Sequence, residues 1–167
     1  NPKVRRMSPP RSAMPTAEAL RLCPDAVVTG VPRGSVTRRS GEVRAALEEL
    51  SPVVQAASVD EFYLDLTGTE RLFHHAPLWG TATRIREEVL ERTGISVSIG
   101  GGTNRLVAKL ATRPAKPGGV FIVPPGEEES FVGGLELADL PGVGPALLRT
   151  LRDRGLDPKK HLVLVPS

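Results

Sequence analysis

Asp60 and Glu61 are neighbouring carboxylates, and such groups repel each other unless water, a cation or a base compensates them. A hard divalent cation such as Mg²⁺ takes oxygen ligands and keeps several waters, so one or two carboxylates plus substrate phosphates suffice to bind it. In two-metal phosphoryl transfer, such carboxylates hold the ions that activate the attacking oxygen and stabilise the leaving one. Because side chains alternate faces along a regular strand, both acids share a site only where the chain bends. A solvated turn is the alternative.

A basic, glycine-spaced run occupies residues 100–119. Arg105 and Lys109 are four positions apart on a predicted helix, Arg113 follows one turn later, and Lys116 precedes a proline and two glycines. A helix face of cations can track phosphates, and lysine is a competent point-charge ligand for them. The glycine triplet lacks the Gly-x-Gly-x-x-Gly spacing of a dinucleotide fingerprint. A solvated helix face remains the alternative.

The third pattern is the sequence Pro-Gly-Val-Gly at residues 141–144, between two predicted short helices. Gly142 and Gly144 would let the backbone approach a partner closely, and amides at the start of the next helix can bind phosphate oxygens. The pattern resembles a helix-hairpin-helix element, which binds the DNA backbone without reading its sequence. A purely structural turn is the alternative.

Hydrophobic periodicity predicts the elements that must position these residues. Phe62, Leu64 and Leu66 alternate with polar side chains, which predicts a half-buried strand and a β-hairpin with the two acids at its bend. Helices are predicted over 15–23, 40–50 and 77–93, and a further helix is predicted after Thr103, which would cap it. Strands are predicted at 26–28, 95–99 and 120–123. A loop is predicted at 30–41 and a flexible turn at 100–102. From residue 53 the order is β-β-α-β-α-β, then helical, which is typical of an α+β fold with helices layered on a sheet.

Length and composition suit one ordinary domain, or one with a small appendage, because the chain has 167 residues of which 40% are hydrophobic. No run approaches the roughly 18 apolar residues of a membrane helix, so no membrane partner is predicted. No apolar segment follows the basic N-terminus, so no signal peptide is predicted. Cys23 is the only cysteine, which excludes an internal disulfide and favours a reducing, cytoplasmic setting.

Charge is unevenly distributed along the chain. The net charge is +3 for the whole sequence, and segment by segment it is +6, −5, +4 and −2 over residues 1–40, 41–94, 95–125 and 126–167. Two basic blocks around an acidic one would suit a polyanion held near carboxylate-bound metal. Ordinary surface variation is the alternative.

Taken together, these patterns resemble the Y-family DNA polymerases, particularly their bacterial DNA polymerase IV class. Residues 58–65 resemble the family's Ser-Ile-Asp-Glu-x-Tyr-Leu-Asp, and residues 100–109 its Gly-Ile-Gly-x-Asn-Lys-x-x-Ala-Lys. Residues 115–119 resemble its Ala-Lys-Pro-x-Gly, and residues 11–19 its fingers segment. The glycine pattern at 141–144 falls where the family's thumb begins.

The resemblance implies an α+β polymerase architecture. Residues 1–50 would form partial fingers, residues 51–125 a palm with a ferredoxin-like antiparallel or mixed sheet, and residues 126–167 the start of a helical thumb with the helix-hairpin-helix. The implied activity is template-directed transfer from a dNTP to a primer 3′-OH, of the translesion type. The implied partners are primer-template DNA and the dNTP, with a sliding clamp as a candidate partner of the full-length protein.

The resemblance also implies roles for individual residues. Asp60 would be a ligand of Mg²⁺, and Glu61 a second catalytic and metal-binding carboxylate near the primer terminus. Lys116 and Arg6 would contact the triphosphate of the incoming nucleotide. The DNA-binding residues would be Arg105, Lys109, Gly142 and Gly144.

One departure from the family bears on activity. The family begins with a strand carrying another metal-binding Asp, whereas no such segment precedes Asn1 and no initiator Met is present. We therefore expect a fragment that is inactive or nearly so by itself. The alternative function is a non-catalytic DNA-binding module of a repair protein, acting through the helix-hairpin-helix and the basic helix. A small-molecule phosphotransferase is disfavoured because no Walker-type loop is present.

Overall fold

The chain divides into two compact units between Arg33 and Gly34, and the computed structural model describes residues 14–155. In the first unit, helix α1 (Thr16–Leu22) begins directly after Pro15 and buries none of its residues. This confirms the helix predicted over 15–23.

The strand predicted at 26–28 is wrong. These residues are irregular, and the side chains of Val27 and Val28 are exposed. An apolar run forms a stable strand only where other strands or a helix cover it, and no strand of the described chain pairs with this segment.

Helix α2 (Arg33–Glu48) corrects the loop predicted at 30–41 from residue 33 onward, whereas residues 30–32 are irregular as predicted. Ser40, where the predicted helix over 40–50 would begin, therefore lies inside a longer helix. The prediction failed because glycine and serine lower helix propensity, whereas tertiary packing of one face supplies most of a helix's stability. That face is Val43, Ala46 and Leu47.

The predicted β-hairpin is confirmed. Strands β1 (Val53–Ala56) and β2 (Phe62–Asp65) are antiparallel, in a register that pairs Val53 with Asp65 and Ala56 with Phe62. The hydroxyl of Ser51 lies 3.2 Å from the carbonyl oxygens of both Val53 and Asp65, and so ties the open end of the hairpin together.

The hairpin packs on one hydrophobic cluster together with α2 and helix α3 (Leu78–Thr93). Gly94 ends α3 in the left-handed conformation (φ 66°), and its amide donates to the carbonyl of Leu90 at 2.8 Å. Ala82, Ile85 and Val89 are buried on one side of α3, whereas Trp79 is 60% exposed. The buried members of the cluster are Val43, Ala46, Leu47, Phe73, Ile85 and Val89.

A second strand pair is built around the glycine run. Strand β3 (Ile99–Gly101) runs parallel to β4 (Val120–Ile122), and helix α4 (Arg105–Ala115) connects them. The flexible turn predicted at 100–102 is therefore wrong at its first two residues. A Cβ on Gly100 would lie 2.3 Å from the backbone of Ala108 and Thr112, so the glycine is there to let α4 lie against the strand.

The N-cap of α4 is Asn104, and not Thr103. The Asn104 side chain accepts a hydrogen bond from the Val107 amide at 3.0 Å, whereas the Thr103 hydroxyl donates to Glu128 at 2.6 Å. Helix α5 (Glu128–Gly133), absent from the sequence predictions, adds Val132 to a second cluster. Its buried members are Val107, Leu110, Ala111, Val123 and Val132.

The segment with the glycine pattern ends the described chain. A single 3-10 turn (Leu137–Asp139) precedes Gly142, whose φ is 84°, and helix α6 (Pro145–Asp153) follows. The first element of the expected helix pair is therefore one short turn, and the helix-hairpin-helix stays a prediction. The α+β class is confirmed. Within residues 14–155, no helix combines the length and apolarity needed to cross a membrane.

Candidate active site

Asp60 lies at the solvent-exposed tip of the β1–β2 hairpin. The amides of Ala57 and Ser58 both donate to the carbonyl of Glu61, at 2.9 and 3.3 Å, and so close the turn. The Ser58 hydroxyl then donates to Oδ1 of Asp60 at 2.5 Å and accepts from the Asp60 amide at 3.2 Å. These contacts orient the Asp60 carboxylate and leave it accessible from solvent.

Glu61 contacts the basic helix directly. Its two carboxylate oxygens lie 2.5 and 2.7 Å from Nζ of Lys109, and the Tyr63 hydroxyl donates to Oε1 at 2.9 Å. The hydrogen bond from Lys109 lowers the pKa of Glu61, against the opposing effect of desolvation and with a smaller contribution from Tyr63. The same contact raises the pKa of Lys109. The pair is thus fully charged near neutral pH.

Arg105 extends this contact by one helical turn. Its guanidinium lies 5.6 Å from the centre of the Tyr63 ring, within the range of a cation–π interaction. Burial is the main cause that raises the pKa of Tyr63, and its hydrogen bond to Glu61 adds to it. The phenol is therefore a proton donor to Glu61, and the polar face of β2 meets one face of α4.

Lys116 lies exposed at the C-cap of α4. It follows Lys109 by seven residues, which is about 10 Å along a helix axis and close to two full turns, so both Cα atoms lie on the same side. The side chain of Lys116 makes no hydrogen bond or ion pair with another described residue. Its ammonium is thus available to an anion from solvent.

The glycine turn is fastened to the same helix. Arg113 of α4 forms an ion pair with Asp139, three residues before Gly142. A cavity of about 180 Å³ lies at this junction. Residues that line it include Lys109, Arg113, Leu135, Asp139 and Pro141. Gly142 and Gly144 themselves are exposed.

The predicted site residues that the structure describes are thus distributed in four places, one of which is the exposed turn of Gly142 and Gly144. Glu61, Lys109 and Arg105 come together, Asp60 lies beside them at the hairpin tip, and Lys116 lies farther along α4. Arg6 lies outside the described residues. Ser58 and Tyr63 were not predicted as site residues, although residues 61 and 63 share a strand face by their spacing of two.

Metal-ligating side chains are sparse here. Within residues 14–155, no group of three or more His, Cys, Asp or Glu residues is arranged to hold an ion. Asp60 and Glu61 supply two oxygen donors of the type that Mg²⁺ prefers, and waters and substrate phosphates commonly complete its shell. The donor chemistry therefore fits a divalent ion, although Lys109 occupies both oxygens of Glu61 in this conformation.

Solved polymerases have the same arrangement of elements. The insertion ternary complex of Dbh DNA polymerase superimposes with a TM-score of 0.77 at 28% identity, over 89% of this chain and 43% of that one. DinB from Sulfolobus solfataricus superimposes with a TM-score of 0.75 at 27% identity, over 89% and 43%. The fold is thus that of a DinB-type polymerase over the aligned region.

Sequence comparison identifies the family. Residues 6–113 match the impB/mucB/samB family, and the chain belongs to it. The DNA polymerase IV of Caulobacter vibrioides is 39% identical over 153 residues, which are 92% of this chain and 38% of that protein. This confirms the resemblance to Y-family polymerases. The chain spans about two fifths of the length of these relatives.

Proposed function

We propose that this chain forms the catalytic palm of a template-directed DNA polymerase of the translesion type. The observation that carries the proposal is the contact between the acidic hairpin and the basic helix, because it brings Asp60 and Glu61 beside a row of cations on α4. Carboxylates beside cations are what metal-assisted transfer of a nucleotide to a DNA end requires. Family membership and the DNA polymerase names of the relatives support the same reading.

The divalent ion of this proposal is Mg²⁺, held by Asp60 and Glu61. When bound, it would neutralise charge on the reacting phosphate and lower the pKa of the attacking hydroxyl. Ser58 orients the Asp60 carboxylate toward that task through its 2.5 Å hydrogen bond. Lys109 and, to a smaller extent, Tyr63 lower the pKa of Glu61 and so keep its carboxylate ionised at neutral pH.

The basic residues would bind two different polyanions, the dNTP triphosphate and the DNA backbone. Lys116 would receive the triphosphate of the dNTP, with Arg6 as its proposed companion. Arg105, Gly142 and Gly144 would contact the primer-template backbone. Lys109 is proposed for DNA as well, and a phosphate that drew its ammonium away from Glu61 would free both carboxylate oxygens for the metal ion. Binding of DNA by Lys109 and of metal by Glu61 would therefore favour each other.

The proposed division of the chain rests on the family resemblance. Residues 1–50 would be partial fingers, 51–125 the palm and 126–167 the start of the thumb. Lesion bypass and a sliding-clamp contact are proposed for the full-length protein on family grounds.

Replacing Asp60 by Asn tests the proposal. The complete gene product that contains this sequence should extend a primed template in Mg²⁺ and four dNTPs. Because losing an outer-shell partner of a metal already costs about 10- to 100-fold, losing a ligand should cost more than about a hundredfold. Affinity for duplex DNA should stay nearly unchanged. Glu87→Gln, at an exposed position on α3, is the matched control and should extend normally.

The alternative, a non-catalytic DNA-binding module, makes a different prediction. In that case the unaltered protein shows no extension, and Asp60→Asn has no extension to remove. Loss of extension and of duplex binding to the same degree would also count against the catalytic proposal, since it would place Asp60 in a binding surface and not at the reacting centre.

A further inference from the structure

The peptide that follows Pro117 is held from both sides by side chains. The Gly118 amide donates to Oγ of Ser98 at 2.8 Å, and the Gly118 carbonyl accepts from Nε of Arg86. Gly118 has a φ of 63°, and a Cβ there would lie 2.8 Å from Oγ of Ser96. The backbone at this point is therefore fixed by α3 and by the segment that leads into β3.

The next residue is fixed as well. The Gly119 amide donates to the carbonyl of Ala115 at 2.7 Å, and its carbonyl accepts from the Ile99 amide at 2.9 Å. At the other end, the Lys116 amide donates to the carbonyl of Arg113 at 3.2 Å. The backbone of the 116–119 loop is thus anchored at Lys116, Gly118 and Gly119, whereas the Lys116 side chain is exposed.

Arg86 is not part of an ordinary surface ion pair. It is half-buried, and its hydrogen bond among the described residues goes to a backbone carbonyl and not to a carboxylate. Removing a charged group partly from water is unfavourable unless specific hydrogen bonds compensate. The contact with Gly118 supplies that compensation, and it couples α3 to the loop that carries Lys116.

We propose that Arg86 and Ser98 are positioning residues, which hold the 116–119 loop so that the Lys116 ammonium meets the phosphates of the incoming nucleotide. The proposal rests on the proposed function. A lysine ammonium stands at the end of a flexible four-carbon stem, so the protein controls its reach mainly through the backbone. Loosening that backbone adds an ordering cost to nucleotide binding.

Two substitutions of Arg86 separate its hydrogen bond from its bulk. Arg86→Met keeps much of the aliphatic stem and removes the hydrogen-bond donor. Arg86→Gln keeps a donor, because its amide nitrogen is the same number of bonds from Cα as Nε of arginine. In the complete gene product, Arg86→Met should raise the KM for dNTP about fivefold, the effect of one lost hydrogen bond. Arg86→Gln should stay within about twofold of the unaltered protein. The kcat should change little in both.

The double variant Arg86→Met with Lys116→Met tests whether Arg86 acts through Lys116. If it does, Arg86→Met should add nothing to the KM of a protein that already carries Lys116→Met, because the two changes remove one interaction. The inhibition constant of inorganic pyrophosphate should follow the same pattern. Arg84→Met is the matched control, since Arg84 is exposed on the same helix and its side chain has no partner among the described residues; it should leave both constants unchanged.

Ser98 provides an independent arm should Arg86→Met unfold. Ser98→Ala removes the acceptor of the Gly118 amide and should raise the KM, and Ser98→Thr keeps the hydroxyl and should not. Equal losses in the Met and Gln variants, or additive effects with Lys116→Met, would overturn the positioning role. If Lys116→Met raises the KM but neither Arg86→Met nor Ser98→Ala does, the positioning role is overturned too. The proposed function would still stand. No effect of Lys116→Met or of Asp60→Asn on nucleotide use would overturn both.

Discussion

The ammonium of Lys109 lies 2.5 and 2.7 Å from the two carboxylate oxygens of Glu61, although 48 residues separate them in sequence. This ion pair joins the acidic hairpin to the basic helix α4. The side chains are 38% and 34% exposed, so water screens their attraction and the pair is a modest source of stability. Its larger consequence is that α4 is held at the edge of the candidate metal site.

Lys109→Met should lower the free energy of unfolding by less than about 1 kcal/mol at pH 7. The folded-state pKa of Glu61 is lowered from its ordinary 4.5, so its contribution is present above pH 4.5 and is lost as pH falls through the lowered value. The pKa of Lys109 is raised from 10.5, so its contribution is present below pH 10.5 and is lost as pH rises through the raised value.

Urea unfolding at several pH values measures this difference. The difference in unfolding free energy between the unaltered protein and Lys109→Met should be constant from about pH 5 to pH 10 and should disappear in acid. Lys116→Met removes an exposed lysine with no described partner and should show almost no gap at any pH. A gap that persists unchanged at pH 2.5 would mean that Lys109 stabilises the fold through its stem and not through Glu61.

Tyr63→Phe should cost about 0.5–1 kcal/mol of unfolding free energy, the usual net value of a hydrogen bond. The variant loses the 2.9 Å hydrogen bond to Glu61 but keeps the ring beneath Arg105. Tyr63→Leu removes both and should cost more. Thermal unfolding of the two variants checks the order; a loss in Tyr63→Phe as large as in Tyr63→Leu would assign the whole effect to the hydroxyl.

Gly100→Ala should destabilise the fold by about 1–3 kcal/mol, the usual cost of overpacking. The added Cβ would lie 2.3 Å from backbone atoms of Ala108 and Thr112, which cannot move without displacing α4. Gly41→Ala is the matched control, because nothing lies within 4 Å of its Cβ and it sits inside α2. That substitution should stabilise by about 0.5–1 kcal/mol. Denaturant titration of both variants decides; a neutral Gly100→Ala would refute the close approach of α4.

The position of the two neighbouring acids was easier to predict than the elements around them. The two acids at a bend could be located because period-two alternation from Phe62 is a local signal. The ion pair between Glu61 and Lys109 could not be predicted from the sequence, since it depends on how α4 packs against the hairpin. The cap of α4 is Asn104 and not the predicted Thr103, because the Asn104 side chain accepts a hydrogen bond from the Val107 amide.

Errors in the fold predictions have a common cause. Gly34, Ser40 and Gly41 suggested a loop, but packing of Val43 and Leu47 keeps α2 helical. The glycines at 100 and 101 suggested a turn, but they make room for a neighbouring helix. In both places, tertiary contacts outweigh the local preferences of the residues.

Binding of Mn²⁺, which accepts the same oxygen ligands as Mg²⁺ and is visible by electron paramagnetic resonance, tests the central claim most directly. In the complete gene product, the Mn²⁺ dissociation constant should fall when a dNTP is added and should rise more than about tenfold in Asp60→Asn. Glu87→Gln should bind as the unaltered protein does. Equal Mn²⁺ affinity in the unaltered protein and Asp60→Asn, with and without dNTP, would contradict a metal site at the hairpin tip.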